Sequence, residues 1–348
     1  MNVLLTSAGR RTYMAEYFRK ALDGKGLVFV SNSVPSPALM EGDGSFLTPV
    51  IYSDEYIPFL LEKCAENRIG LIVPLFDIDL PVLAAHREEF ERIGTKIAVS
   101  DTKMLSACND KLNMFLRLRQ HGIASPETYV SNEQGVSDVG LQHCCSPEHP
   151  VIVKPRFGMG SIGVLKAYSE EELRAAVSMC RRAVTGSYLS FESAADPDRT
   201  VLIQELKQGS EYGIDVICDL DGSYVNTIVR KKIAMRSGET DEAVILGPED
   251  RGFDLLRETG RRLAEVFGPR GLMDVDIIMD TDEGIPYVID MNARFGGGYP
   301  FSHCAGADVP RAYIMWAEGI TDPERALTYC TAGYGVHGFK DIAIRRYL

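Results

Sequence analysis

Over the first hundred residues the apolar positions fall into short β-branched runs separated by stretches of helical period. Residues 2–6, 27–30, 70–73 and 96–99 read as buried strands, and the segments after Arg11 and over 57–67 as amphipathic helices. Apolar strands alternating with helices predict a parallel sheet, an α/β domain over residues 1–100. From residue 201 the pattern changes. Runs at 201–206, 211–218, 226–233, 272–279 and 287–294 follow one another as paired strands, with a separate helix at 253–267, which predicts an α+β half. Between the halves lie a linker and helix over 101–121 stopped by Gly122, a polar surface excursion at 135–150, and a helix at 170–182.

Around residues 151–168 the pattern reads as a strand, a glycine-rich turn and a returning strand. Val151-Ile152-Val153 leads into Lys154-Pro155-Arg156, then Gly158, Gly160, Ser161 and Gly163, then the run from Val164 to Tyr168. Glycine lets a backbone take positive φ and bring its N–H groups close to an anion. Lys154 stands one pleat before the loop, where an ammonium reaches the same phosphates. The glycines spell G-x-G-x-x-G, but a dinucleotide fingerprint must open a helix, and here a strand follows. A protein kinase uses a strand–loop–strand, yet the chain has no HRD or DFG motif. Three glycines also make a plain hairpin; Lys154 and Arg156 at its base favour the anion-binding reading.

Composition narrows the partners. The chain of 348 residues has length for two or three domains, and its net charge of −12 argues against non-specific binding of nucleic acid or an anionic membrane. Eight cysteines occur without C-x-x-C spacing, and no apolar run is long enough to span a bilayer. Reduced thiols in a cytoplasmic protein are the expectation.

In an open parallel sheet, ligands lie beyond the carboxyl ends of the strands. There the chain places Ser7–Arg11, residues 31–37, and a loop carrying Asp77 and Asp79. A guanidinium near a helix N-terminus suits a carboxylate or phosphate. Of the adjacent pair, Arg10 is the expected contact and Arg11 is expected to face solvent. Asp77 and Asp79 could read an amine or cap the following helix. Lys111 sits in the first turn of a helix, the wrong end for the dipole, which suggests a nearby anion; an exposed lysine is the plainer alternative. Arg10, Asp77 and Arg236 are the candidate substrate residues.

Asp290 and Asn292 stand two apart on one strand and so share a face. Asp276 lies on the neighbouring strand. Two carboxylates and an amide oxygen are hard ligands that suit Mg²⁺, which takes one or two carboxylates and then nucleotide phosphates. Arg294, one pleat further, can neutralise a transferring phosphoryl group. A structural Asp–Arg pair at a strand end is the plainer alternative.

These motifs together resemble the ATP-grasp superfamily, specifically the carboxylate–amine ligases similar to the halves of the carbamoyl-phosphate synthase large subunit. The matching stretches are Asn109-Asp110-Lys111, Val153 to Gly163, Gln204-Glu205-Leu206 with Gly209-Ser210-Glu211-Tyr212, and Asp276 with Val288 to Gly297. The resemblance implies an ATP-grasp fold: a pre-ATP-grasp domain over 1–100, a linker helix and glycine-loop lid over 101–205, and a C-terminal metal-binding domain over 206–348. It implies that Lys111 and Lys154 hold the α/β-phosphates, with Gly158, Gly160, Ser161 and Gly163 in the loop. Glu205 and the backbone of Leu206 would bind adenine, Glu211 the ribose hydroxyls, and Asp276, Asp290 and Asn292 the Mg²⁺. Arg294 would steady the γ-phosphate and an acylphosphate, with Lys154 as its catalytic companion. Asp290 stands where many relatives carry Glu.

The reaction expected is ATP-dependent amide formation. A carboxylate attacks the γ-phosphate, and an amine displaces phosphate from the acylphosphate. The partners are then a small-molecule acid and amine, with no nucleic acid or membrane, and a homodimer as the assembly. A phosphotransferase acting on a small acid, and a nucleotide-binding module without turnover, are the competing readings.

Overall fold

The computed structural model of the chain describes residues 1–131, 146–236, 238–280 and 284–340. Most of the expected surface excursion, including Cys144 and Cys145, and the turn residues Asp282 and Glu283 lie outside the described residues.

The first sheet is wholly parallel. Its strands are β1 (Asn2–Thr6), β2 (Val28–Asn32), β3 (Gly44–Leu47), β4 (Ile69–Pro74) and β5 (Lys96–Ile97), in the order β3-β2-β1-β4-β5. Helices α1 (Thr12–Leu22), α2 (Tyr56–Glu66), α3 (Asp79–Ala85) and α4 (Arg87–Arg92) connect them. On α1, Met14, Phe18, Ala21 and Leu22 form the buried stripe that the helical period demands. The expected strand at 96–99 shortens to two residues, and β3 and α3 were not signalled by the apolar pattern.

The linker is two helices rather than one. Asp101 caps α5 (Thr102–Asn109) by accepting from the Met104 amide, and Asp110 caps α6 (Lys111–Gln120) by accepting from Leu112 and Asn113. Strands β6 (Thr128–Val130), β7 (Val151–Pro155), β8 (Leu165–Ala167) and β9 (Val201–Glu205) make an antiparallel sheet in the order β6-β9-β7-β8. Helices α7 (Glu170–Thr185) and α8 (Leu189–Ser193) belong to this layer. Val151, Val153 and Ile203 turn to one face and bury against Leu173, Val177 and Cys180 of α7. Alternation sends Ile152, Lys154 and Gln204 to the other face.

The third sheet has strands β10 (Ser210–Cys218), β11 (Tyr224–Arg236), β12 (Glu239–Ile245), β13 (Leu272–Met279), β14 (Pro286–Asn292) and β15 (His337–Phe339), in the order β14-β13-β10-β11-β12-β15. Helix α9 (Phe253–Phe267) covers its apolar face: Ile214, Val229, Val275, Ile277 and Val288 join one core with Phe253, Leu256 and Leu263. The remaining helices are α10 (Tyr299–Cys304), α11 (Val309–Ala317) and α12 (Pro323–Tyr329).

The opposite face of this sheet is charged. Register pairs Gly213 with Arg230, Gly213 with Asp276, Asp276 with Asp290, and Asp274 with Asn292. Directly opposed residues share a face, so five charged or amide side chains line one surface. The β13–β14 ladder skips one residue between Asp276 and Ile277, leaving Ile289 as an extra residue on β14. That bulge turns both Ile289 and Asp290 toward the same cavity, which they line.

Candidate active site

A cavity of about 170 Å³ opens between the polar faces of the two antiparallel sheets. Ile152, Lys154 and Gln204 come from one sheet, Asp276, Ile278 and Asp290 from the other, and Gly158 to Ile162 close one side. Gly160 and Gly163 take φ of +62° and +70°, and Ser161 is also left-handed at +58°. A Cβ at Gly158 would stand 2.9 Å from the Cβ of Pro155. The loop is therefore glycine-rich because its backbone path requires it.

Lys154 is 6% exposed. Its Nζ donates to Gln204 Oε1 at 2.8 Å and to the Ile289 carbonyl, freed by the bulge, at 3.3 Å. Gln204 is oriented in turn, since its Nε2 donates to Thr128 Oγ1 at 2.8 Å and Thr128 donates to Pro126 O at 2.9 Å. Both partners of Lys154 are neutral. Burial, with Lys111 adding repulsion, lowers its pKa to about 7.

The two cavity-lining carboxylates of the opposite sheet, Asp290 and Asp276, are each met by a lysine. Lys111 Nζ lies 2.5 Å from Asp290 Oδ1, which is the anion its place in the first turn of α6 demanded. Lys232 Nζ lies 2.6 Å from Asp276 Oδ1. Burial pushes the Asp290 carboxyl up, but Lys111, Lys154 and Arg294 together hold it below the ordinary carboxylate range. Asp276 goes the other way: burial raises it, Lys232 offsets part, and Asp274 and Asp290 add to the rise. Arg156 clamps the lid to α6, with Asp110 accepting at 2.8 and 2.7 Å and Asp196 at 2.7 Å.

Past Lys111 and Gly158, which line both, an adjoining crevice is also lined by Asp77 and Asn292. There Arg294 donates to Asp77 Oδ2 at 2.8 and 3.2 Å, and its Nη1 stands 3.9 Å from Asp274. Arg230, on the same face, pairs with Asp215 and, at 2.8 Å, with Asp274. Asp79 is wholly buried, with no cation paired to it among the described residues. It accepts hydroxyl protons from Thr6, Ser7 and Tyr56, and caps nothing with its side chain.

Other expected residues fall differently. Arg10 is exposed, 84% of its side chain reaching solvent, and pairs with Glu239 at 3.3 Å. Arg11 turns inward, its Nη1 donating to the Phe295 carbonyl at 2.6 Å. The preference for Arg10 over Arg11 is thus reversed, because Ser7 and Gly9 both take positive φ and twist the loop before α1. Arg236 is exposed and pairs with Asp241, away from the cavity. Leu206 donates its amide to Pro150 and does not line the cavity, whereas Lys207 does, 2.7 Å from Glu205. Glu211 is exposed on β10 opposite Ile278, on the face that borders the cavity. Lys207 and Lys232 carry no motif signal; only the register of β10 and β11 would have pointed to Lys232.

Among the described residues no group of three or more His, Cys, Asp or Glu is placed to hold a metal. Asp276, Asp290 and Asn292 share one face of the sheet, offering two carboxylates and an amide. That fits a cation which takes few protein ligands and completes its shell with phosphate and water.

A family model described as an ATP-grasp domain matches residues 108–298, more than half of the chain. The chain belongs to the ATP-grasp family. A PylC-like N-terminal domain matches residues 3–98. Among curated proteins, this ATP-grasp chain is 27% identical over 245 residues to the vancomycin B-type resistance protein VanB of Enterococcus faecalis, covering 67% of the chain and 61% of that protein. It is 28% identical over 290 residues to the carbamoyl phosphate synthase large chain of Corynebacterium glutamicum, covering 80% of the chain and 24% of that protein. It thus spans less than two thirds of these relatives. In fold it is similar to biotin carboxylase from Campylobacter jejuni, with a TM-score of 0.74, 17% identity, and coverage of 96% and 74% of the two chains. The L-amino acid ligase from Bacillus licheniformis gives 0.68 at 16% identity, covering 92% and 75%.

Proposed function

We propose that the chain is a cytoplasmic, ATP- and Mg²⁺-dependent ligase that joins a small carboxylic acid to an amine through an acylphosphate. The observation that carries this reading is Lys154: a buried ammonium, walled by a glycine loop, whose partners are neutral. Such a cation is completed by an anion from outside, and phosphate is the anion for which glycine loops are shaped. The names of the relatives, a carbamoyl phosphate synthase, a biotin carboxylase and an amino acid ligase, support acid activation.

In this reading Lys154 and Lys111 bind the nucleotide phosphates, the loop amides of Gly158 to Gly163 cover them, and Glu205 with Lys207 borders the base. Asp276, Asp290 and Asn292 would hold the Mg²⁺. When bound, the ion neutralises phosphate charge and aligns the γ-phosphoryl group. Arg294 orients the acid and stabilises the charge that develops as its carboxylate oxygen attacks the γ-phosphorus and ADP departs. The lid, fixed by Arg156 on Asp110, excludes water from the acylphosphate. An amine then attacks its carbonyl carbon and phosphate leaves.

The test is ADP release from the full chain with panels of acids, with and without amines, and hydroxylamine added to trap acylphosphates as hydroxamates. Acid-dependent hydroxamate is expected, with amide on adding the right amine. ADP release that no acid stimulates would reject the ligase.

A further inference from the structure

Several cations of the described residues face the charged surface between the sheets and the N-terminal domain. Lys111, Lys232, Arg230 and Arg294 each have a carboxylate within 4 Å among the described residues. Lys154 does not, and the nucleotide accounts for it. Arg11 is the other exception. Its one hydrogen bond among the described residues goes to the Phe295 carbonyl, to which Arg294 Nη1 also donates at 3.3 Å, so two guanidinium groups stand side by side. Arg294 is engaged twice by Asp77. The planar fork of Arg11 has no carboxylate within 4 Å among the described residues, although Asp77 and Asp274 act on it from further off.

The neighbourhood of that fork suits a ligand. Arg11 and Tyr13 are each partly exposed. Tyr13 stands two residues after Arg11, in the first turn of α1, and its ring packs 5.7 Å from Tyr17. A Cβ built at Gly297, on the facing loop, meets only the tip of Lys340 at 3.7 Å, so that loop leaves open space. A guanidinium fork and a phenol hydroxyl are paired donors for carboxylate or phosphate oxygens.

We propose that Arg11 and Tyr13 form a subsite for an oxyanionic group of the acid substrate, separate from the carboxylate activated beside Arg294. The substrate is then an acid carrying a second carboxylate or a phosphate. The second anion anchors the molecule, and its length sets which carboxylate reaches the γ-phosphate. This assignment rests on the ligase reading for its meaning, although the subsite can be tested without ATP.

The experiment is calorimetric titration of the full chain, free of nucleotide, with succinate and separately with inorganic phosphate. Each is repeated in a Lys154→Met background, which weakens phosphate binding at the nucleotide site. At least one probe is expected to bind in both backgrounds. Arg11→Gln should weaken it about tenfold or more, and Arg11→Lys, which keeps charge and loses the fork, should weaken it measurably. Tyr13→Phe should have a smaller effect, and Arg10→Gln should leave binding unchanged. Whichever probe binds tells carboxylate from phosphate. No binding of either probe, or equal binding to Arg11→Gln and the parent, overturns the subsite. ATP titrated into the same proteins reports on the nucleotide site separately, so failure of the ligase reading shows there and not in the anion data.

Discussion

Arg294 and Asp77 are 217 positions apart in sequence, and the guanidinium donates two hydrogen bonds to one carboxylate oxygen. The pair ties the end of β14 to the loop after β4, and so ties the charged sheet to the parallel one. Burial works to discharge Arg294, but Asp77 and Asp274 outweigh it and keep the guanidinium more firmly charged than usual.

Asp77→Ala should therefore cost both stability and turnover. Removing one partner of a buried pair leaves an uncompensated charge, worth about 3 kcal/mol. Thermal unfolding should show the loss, with kcat falling more than ATP affinity because the nucleotide cavity is built from other residues. An unchanged melting curve would mean that the pair is not coupled to folding.

Nucleotide binding should take up a proton above neutral pH. Burial and Lys111 lower the pKa of Lys154 to about 7, against 10.5 for a free lysine, and phosphates would restore its charge. Calorimetry of ATP binding at pH 8 in buffers of different ionisation enthalpy should reveal the uptake, absent in Lys154→Met, which should also bind ATP about tenfold more weakly. The unfolded chain keeps that proton up to 10.5, so the term makes the ligand-free protein more stable as pH rises from 7 toward that value.

Asp290→Asn should separate metal from nucleotide. The amide keeps the shape and removes the charge, so Mg²⁺ dependence should shift to higher concentration and turnover should collapse. The substitution also leaves Lys111 without its ion-pair partner, so ATP measured without Mg²⁺ should bind at least as well as before. Full activity at low Mg²⁺ would assign the carboxylate to structure alone.

Helix α8 of the lid rests on the N-terminal domain. Tyr52 donates to Glu192 at 2.5 Å and stacks on Phe191 at 4.7 Å, while Tyr188 packs edge-on against Phe76, one residue before Asp77. Tyr52→Ala should loosen this seat. More ADP should then be released per amide formed, as water reaches the acylphosphate. A ratio unchanged from the parent would show that Arg156 and its two aspartates hold the lid unaided.

Much of this was legible in the chain. The two halves, the glycine hairpin, the helix at 253–267 and the opposition of Asp276 to Asp290 all follow from local period and turn chemistry. Lys111 at the wrong end of a helix correctly implied an anion, because dipole and charge are local facts. What failed depends on where distant backbone goes. The inward turn of Arg11 follows from two positive φ angles upstream, and the burial of Asp79 under three hydroxyls needs Tyr56 from another helix. Strands β12 and β15 form an edge whose pattern is only half apolar, so nothing in residues 239–245 or 337–339 announced pairing. The bulge has a mark in the apolar spacing: Val288 and Met291 are both core residues, three apart where a regular strand would place them two or four apart.

That bulge has a consequence for how the site can change. Lys154 is steadied on this side by the peptide oxygen of Ile289, which every amino acid at position 289 would supply. Side-chain replacement there can reshape the wall of the cavity but cannot erase the contact. Removing one residue can, because a regular ladder would draw that oxygen back into strand pairing. The constraint at this point is on the length of the chain rather than on its spelling, so variants here should accept many substitutions and no deletion.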